Sequence, residues 1–153
     1  MAWANAQLFG VLQNLPATSY PLSLPHDEWT VAAISHHLVR AAGGYAMALD
    51  GESPTLDLSF PTEGRDFINL AELCAGFDAR LRDSAKLPEA KVARVREGVT
   101  IYRARSTILG QSIHHATEHR AQIASILSLH QVAGLDLDEL DLWAYSDSEG
   151  KGD

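Results

Sequence analysis

The 153-residue chain contains a single cysteine, Cys74, so no disulfide can form within it. A reducing, cytoplasmic setting is the expectation. No apolar run approaches the roughly 20 residues that span a bilayer. The opening residues lack a basic region followed by an apolar stretch, so no signal peptide is expected. Basic residues are few, 12 against 20 acidic, for a formal charge of −8. Without a basic stripe there is no electrostatic footprint for nucleic acid, and none for an anionic membrane surface. Repeats and low-complexity tracts are absent too. What is there is ordinary for a globular protein: 46% hydrophobic and 21% charged residues. That is enough for one domain with a real core. It is expected over residues 1–146, with 147–153 as a flexible tail.

Apolar spacing predicts four amphipathic helices. The first covers about residues 2–15 and ends at Pro16. A proline-containing loop, 16–28, leads to a second helix from about Trp29, with Thr30 or Asp27 as N-cap. Its stripe is Val31, Ile34, Leu38, Ala41, Tyr45 and Leu49. The pair Gly43–Gly44 either admits a close neighbour or marks a weak point, at roughly 1 kcal/mol of helix propensity each. Residues 51–64 form a long loop, functional or merely connecting. A capping box at Asn69 and Glu72 then predicts a third helix to about Lys86, burying Leu70, Leu73, Phe77 and Leu81. Cys74 fits there as a small buried residue rather than a reactive thiolate. Residues 91–101 alternate with valines and read as a short hairpin or irregular link. A fourth helix follows from about Tyr102 to His130. The last segment packs across the end of the helices, with Trp143 and Tyr145 as anchors. This is an all-α pattern, a four-helix bundle.

The fourth helix carries QSIHHATEHRAQI at residues 111–123. His115 and His119 are four residues apart, about 40° apart on the helical wheel. Seven histidines in the chain make a chance pair easy to come by. Phase favours the sharper reading. Ile108, Ser112, Ile123 and Ile126 share the pair's face, so both imidazoles point inward. Buried imidazoles need hydrogen-bond partners or a metal, and helical pairs at this spacing bind metal ions elsewhere. His114 falls on the outside beside Glu118. On the second helix His37 sits at the edge of the apolar stripe, while His36 turns outward towards Arg40. His26 and Trp29 have plain structural readings, surface and packing anchor, while Tyr45, Gln111 and Gln122 fit a pocket lining and a helix interface equally well.

Two of these stretches resemble a known family. WTVAAISHHL matches the DinB-like pattern of Trp, Ser or Thr, an apolar residue and a histidine before Leu. HATEHRAQI matches the second signature, His, three residues, His-Arg, a small residue, Gln and an apolar residue. The resemblance covers most of the chain at low identity. It implies a four-helix bundle with a divalent metal held by three histidines, here His37, His115 and His119. Arg120 matches the usual Arg after the last ligand, and Ala121 stands where glycine is common. The superfamily includes transferases and isomerases that use bacillithiol, mycothiol or glutathione.

Three imidazoles leave a metal position open, which is a feature of catalytic sites. The implied function is a metal-dependent transfer of a low-molecular-weight thiol to an electrophile, with a metal-bound thiol or water as nucleophile. A metal-dependent hydrolase and a non-catalytic, dimeric metal- or ligand-binding bundle are the alternatives. Zinc, nickel and iron all suit the donor set. The expected partners are a small-molecule substrate and a second copy of the chain, in a cytoplasmic stress-response role.

Overall fold

Thr30 shows how local chemistry starts an element. Its backbone is extended, and its Oγ1 accepts a hydrogen bond from Ala33 N at 3.1 Å, capping a helix over Val31–Asp50. The computed structural model describes residues 1–52, 56–96 and 98–150. Within them lie five α-helices and one hairpin, in the order α1 (Ala2–Leu12), α2 (Val31–Asp50), α3 (Gly64–Ser84), β1 (Lys91–Arg96), β2 (Val99–Ala104), α4 (Arg105–Leu129) and α5 (Leu142–Ser148). Short 3-10 turns sit at Ala17–Ser19 and Asp138–Leu140. The fold is therefore mostly helical, with a small sheet that a purely helical pattern leaves out.

Helix α2 packs against α3 and α4, and α1 packs against the same two. One core runs between them. Leu8 and Leu12 come from α1, Ile34 and Leu38 from α2, Phe67 and Leu81 from α3, and Ile123 and Leu127 from α4. All are essentially sealed from solvent. Each such side chain contributes about 1.5–3 kcal/mol relative to an exposed one, so the core outweighs any surface ion pair.

Several boundaries differ from the sequence pattern. Helix α1 stops at Leu12 rather than 15. Tyr20 reaches back, and its hydroxyl donates to the carbonyls of Leu12 and Leu15 at 3.1 and 2.9 Å, closing the helix end. Helix α3 begins at Gly64, five residues before Asn69. The N-cap is Glu63, and Asp66 closes a capping box, its carboxylate accepting from the backbone of Thr62 and Glu63 at 2.8 and 3.1 Å. This adds a turn that buries Phe67. Leu73, expected in the core, is 43% exposed.

Residues 91–104 form an antiparallel hairpin with Lys91 opposite Ala104 and Arg96 opposite Val99. Gly98 takes φ 77°, which a side chain would resist. Residue 97 lies outside the described residues, as do 53–55, within the stretch expected to be a long loop, and 151–153, within the expected tail; α5 extends to Ser148. Tyr145 does lean on Trp3, ring centroids 5.7 Å apart. Trp143 is not an anchor: it is 80% exposed, and Leu140 is the buried residue of this segment. No helix among the described residues is long and apolar enough to cross a membrane.

Candidate metal centre

The long helices α2 and α4 lie side by side and bring three imidazoles to one point. His37 Nε2 is 3.1 Å from His115 Nε2, and His119 Nε2 is 3.2 Å from the same atom. The three ligand atoms all fall within 4.8 Å of one another. His119 is buried, and the other two are half-buried.

The donor set can be tested against a metal. Gln122 Oε1 accepts from His119 Nδ1 at 2.7 Å, which puts the ring proton on Nδ1 and leaves the lone pair on Nε2. With the other two rings in the same tautomer, three Nε2 lone pairs converge, an arrangement that a cation among them stabilises. A proton is a poor candidate. Burial, reinforced by His119 and His37, pushes the His115 pKa down to about 4. Burial, then His119, also lowers that of His37. Neutral imidazoles are what a metal needs. Nitrogen–metal bonds of about 2.0–2.1 Å put neighbouring nitrogens roughly 3.3–3.4 Å apart in a tetrahedron. The observed spacings are close to that, so the residues fit a divalent ion.

The surroundings are aromatic. The Trp29 indole stacks parallel to His119, with centroids 5.8 Å apart, and meets His37 edge-on at 4.9 Å. Trp29 is thus a wall of the site rather than only a helix-start anchor. Tyr45 meets His115 edge-on at 5.8 Å. From β1, the Arg94 guanidinium lies 6.0 Å above the Tyr45 ring, so the hairpin borders this side.

Other candidates fall elsewhere. His36 Nε2 donates to Leu58 O at 3.0 Å, and His114, Glu118, Gln111 and His26 are exposed. Behind the imidazoles lies a buried polar network that the sequence pattern missed. Arg120 Nη1 donates to Asn5 Oδ1 at 2.7 Å, and Asn5 Nδ2 donates to Asp78 Oδ2 at 2.9 Å. All three residues are nearly inaccessible. Cys74 sits against Asp78, and burial holds its thiol far above the ordinary range. The hint in the sequence was Arg120, a cation only one position from an inward histidine.

A helical domain whose adjacent helices focus three imidazole nitrogens on one point is a candidate metal-binding protein. Residues 1–150 match the family model of the DinB family, and the chain belongs to that family. No curated protein matches it.

Proposed function

We propose that this is a divalent-metal-dependent enzyme that transfers a low-molecular-weight thiol to an electrophile, on a four-helix bundle scaffold. The observation that carries the proposal is the convergence of three Nε2 atoms, which among the described residues supply only part of a coordination sphere. His37, His115 and His119 would hold a divalent ion, which would supply Lewis acidity when bound.

The chain's own residues do the rest. Gln122 keeps His119 in the tautomer whose Nε2 faces the site. Trp29, 43% exposed yet stacked on His119, offers a flat apolar wall to an incoming organic group. Cys74 is 1% exposed, and burial keeps its thiol protonated, so the attacking sulfur comes from outside the protein. In the transfer, the thiol gives up its proton to solvent. Its sulfur bonds to the electrophilic carbon, and the leaving group departs with its bonding pair.

Bacillithiol, mycothiol and glutathione are the thiols to test, with zinc, nickel and iron as the metals. The chain is expected to pair with itself by helix packing and not to bind duplex DNA, given its charge of −8. A strictly monomeric sedimentation profile overturns the first expectation, and salt-sensitive DNA binding the second. The decisive experiment uses protein purified without an affinity tag. Metal content is measured, and thiols are then screened with a bimane electrophile. Conjugate formation that needs both metal and thiol is the expected result. Turnover without added thiol replaces the proposal with metal-dependent hydrolysis. No turnover with any pair leaves a binding protein.

A further inference from the structure

A small cavity of about 10 Å³ lies among α1, α2, α3 and α4, bordered by Met1, Tyr45, Asp78, Ser112 and His115 and closed by Ala42. That is room for about one water. Asp78 Oδ1 is the buried side-chain polar atom with no hydrogen-bond partner among the described residues. Asp78 is 3% exposed, so bulk solvent does not supply one. An unmet acceptor at this depth costs roughly 1–3 kcal/mol.

His115 lines the same cavity. Its Nε2 faces His37 and His119, and its other ring nitrogen makes no hydrogen bond among the described residues. With Nε2 kept for a ligand bond, Nδ1 carries a proton that needs an acceptor. Ser112 Oγ donates to Leu109 O at 2.7 Å, which leaves its own lone pairs free to accept.

We propose that one ordered water fills this cavity, accepts from His115 Nδ1–H and donates to Asp78 Oδ1 and Ser112 Oγ. This makes Asp78 a positioning residue for the metal centre, acting through the water. The water's three bonds match what buried waters make. Asp78 is in turn fixed by Asn5, which Arg120 holds, so α1, α3 and α4 jointly orient one ligand of the site. The inference rests on the metal reading of the three histidines.

The test compares zinc affinity in the wild type, Asp78→Asn and Ala42→Val, by competition with a chromophoric chelator. Asp78→Asn puts an N–H donor where Oδ1 accepted. Ala42→Val leaves Asp78 intact and fills the cavity. Both are expected to weaken zinc binding 10–100-fold, the range for losing an outer partner of a ligand, and to shift the visible bands of the cobalt-loaded protein. If Asp78→Asn does not fold, Ala42→Val still decides. A high-resolution structure of the zinc-loaded wild type is expected to show the water. An empty cavity, or both variants within twofold of wild type, overturns the water link alone. A wild type that binds no metal overturns the metal reading and the link together.

Discussion

Gln122 Oε1 lies 2.7 Å from His119 Nδ1, and this one contact decides which face of the His119 ring carries the lone pair. Gln122 is one turn further along the helix that supplies the imidazole, so the orientation is built into a short stretch of sequence. Gln122→Leu removes the acceptor but keeps the bulk. Zinc affinity is expected to fall 10–100-fold with the fold intact, as measured by chelator competition. Unchanged affinity would show that packing against Trp29 alone orients the ring.

The ligand assignment predicts a sharp contrast between neighbours. His37→Ala, His115→Ala and His119→Ala should each lose most bound metal, while His36→Ala and His114→Ala keep it. Metal analysis after dialysis reads the difference. Full occupancy in His37→Ala is the outcome that would overturn the assignment.

Acid should loosen the ion-free protein through His115 and His37. In the unfolded chain both imidazoles take up protons near the ordinary value of about 6.5. In the folded chain burial depresses both pKa values, that of His115 to about 4. Between these values the unfolded state binds more protons. The stability contributed by the neutral rings is complete above about pH 6.5 and is lost as pH falls towards 4. Urea midpoints should therefore drop from pH 7 to pH 5, and drop less in His115→Ala. Equal slopes in the two proteins would refute the linkage.

The paired glycines of α2 should behave in opposite ways. A Cβ on Gly43 would press on Leu56 and come within 3.0 Å of the Phe77 ring, whereas one on Gly44 meets nothing within 4 Å. Gly44→Ala should then gain up to about 1 kcal/mol from helix propensity. Gly43→Ala should gain less or lose about 1 kcal/mol, because the α2–α3 contact must spread. Denaturant titration of the two variants checks the order.

Cys74 should be chemically silent. The folded protein is expected to leave a disulfide reagent unreacted and to react once unfolded in urea. Cys74→Ala should retain metal- and thiol-dependent turnover. Loss of turnover with metal still bound would make the protein's own sulfur the nucleophile.

The inward faces of α2 and α4 were legible because period-3.6 apolar residues bracket His37, His115 and His119 on both sides. The start of α3 was not. Glu63 and Asp66 cap it from within a polar stretch, where Asn69 and Glu72 offer the same residue types six positions on. The Asp78–Asn5–Arg120 network was illegible for a different reason. Its members lie 73 and 115 residues apart in sequence and meet only through packing. A lone aspartate on an amphipathic helix gives no sign that it is buried. The exposure of Leu73 and Trp143 likewise depends on what lies opposite them, which periodicity does not encode.

The junction between β2 and α4 has a consequence for how this chain tolerates length changes. Arg105, the first residue of α4, is tied down by four contacts: its guanidinium to Ser84 Oγ at 2.7 Å and to Pro88 O at 3.1 Å, and its backbone N–H to Ala90 O at 2.9 Å and Glu89 Oε1 at 2.8 Å. The rotational setting of the helix is thus fixed ten residues before its first inward histidine. A residue inserted at the tip of the hairpin lengthens a turn and leaves that setting untouched. The same residue inserted between Ser106 and His114 swings His115 and His119 by about 100° relative to the anchor, taking both away from His37. Insertions should be accepted on one side of Arg105 and abolish metal uptake on the other.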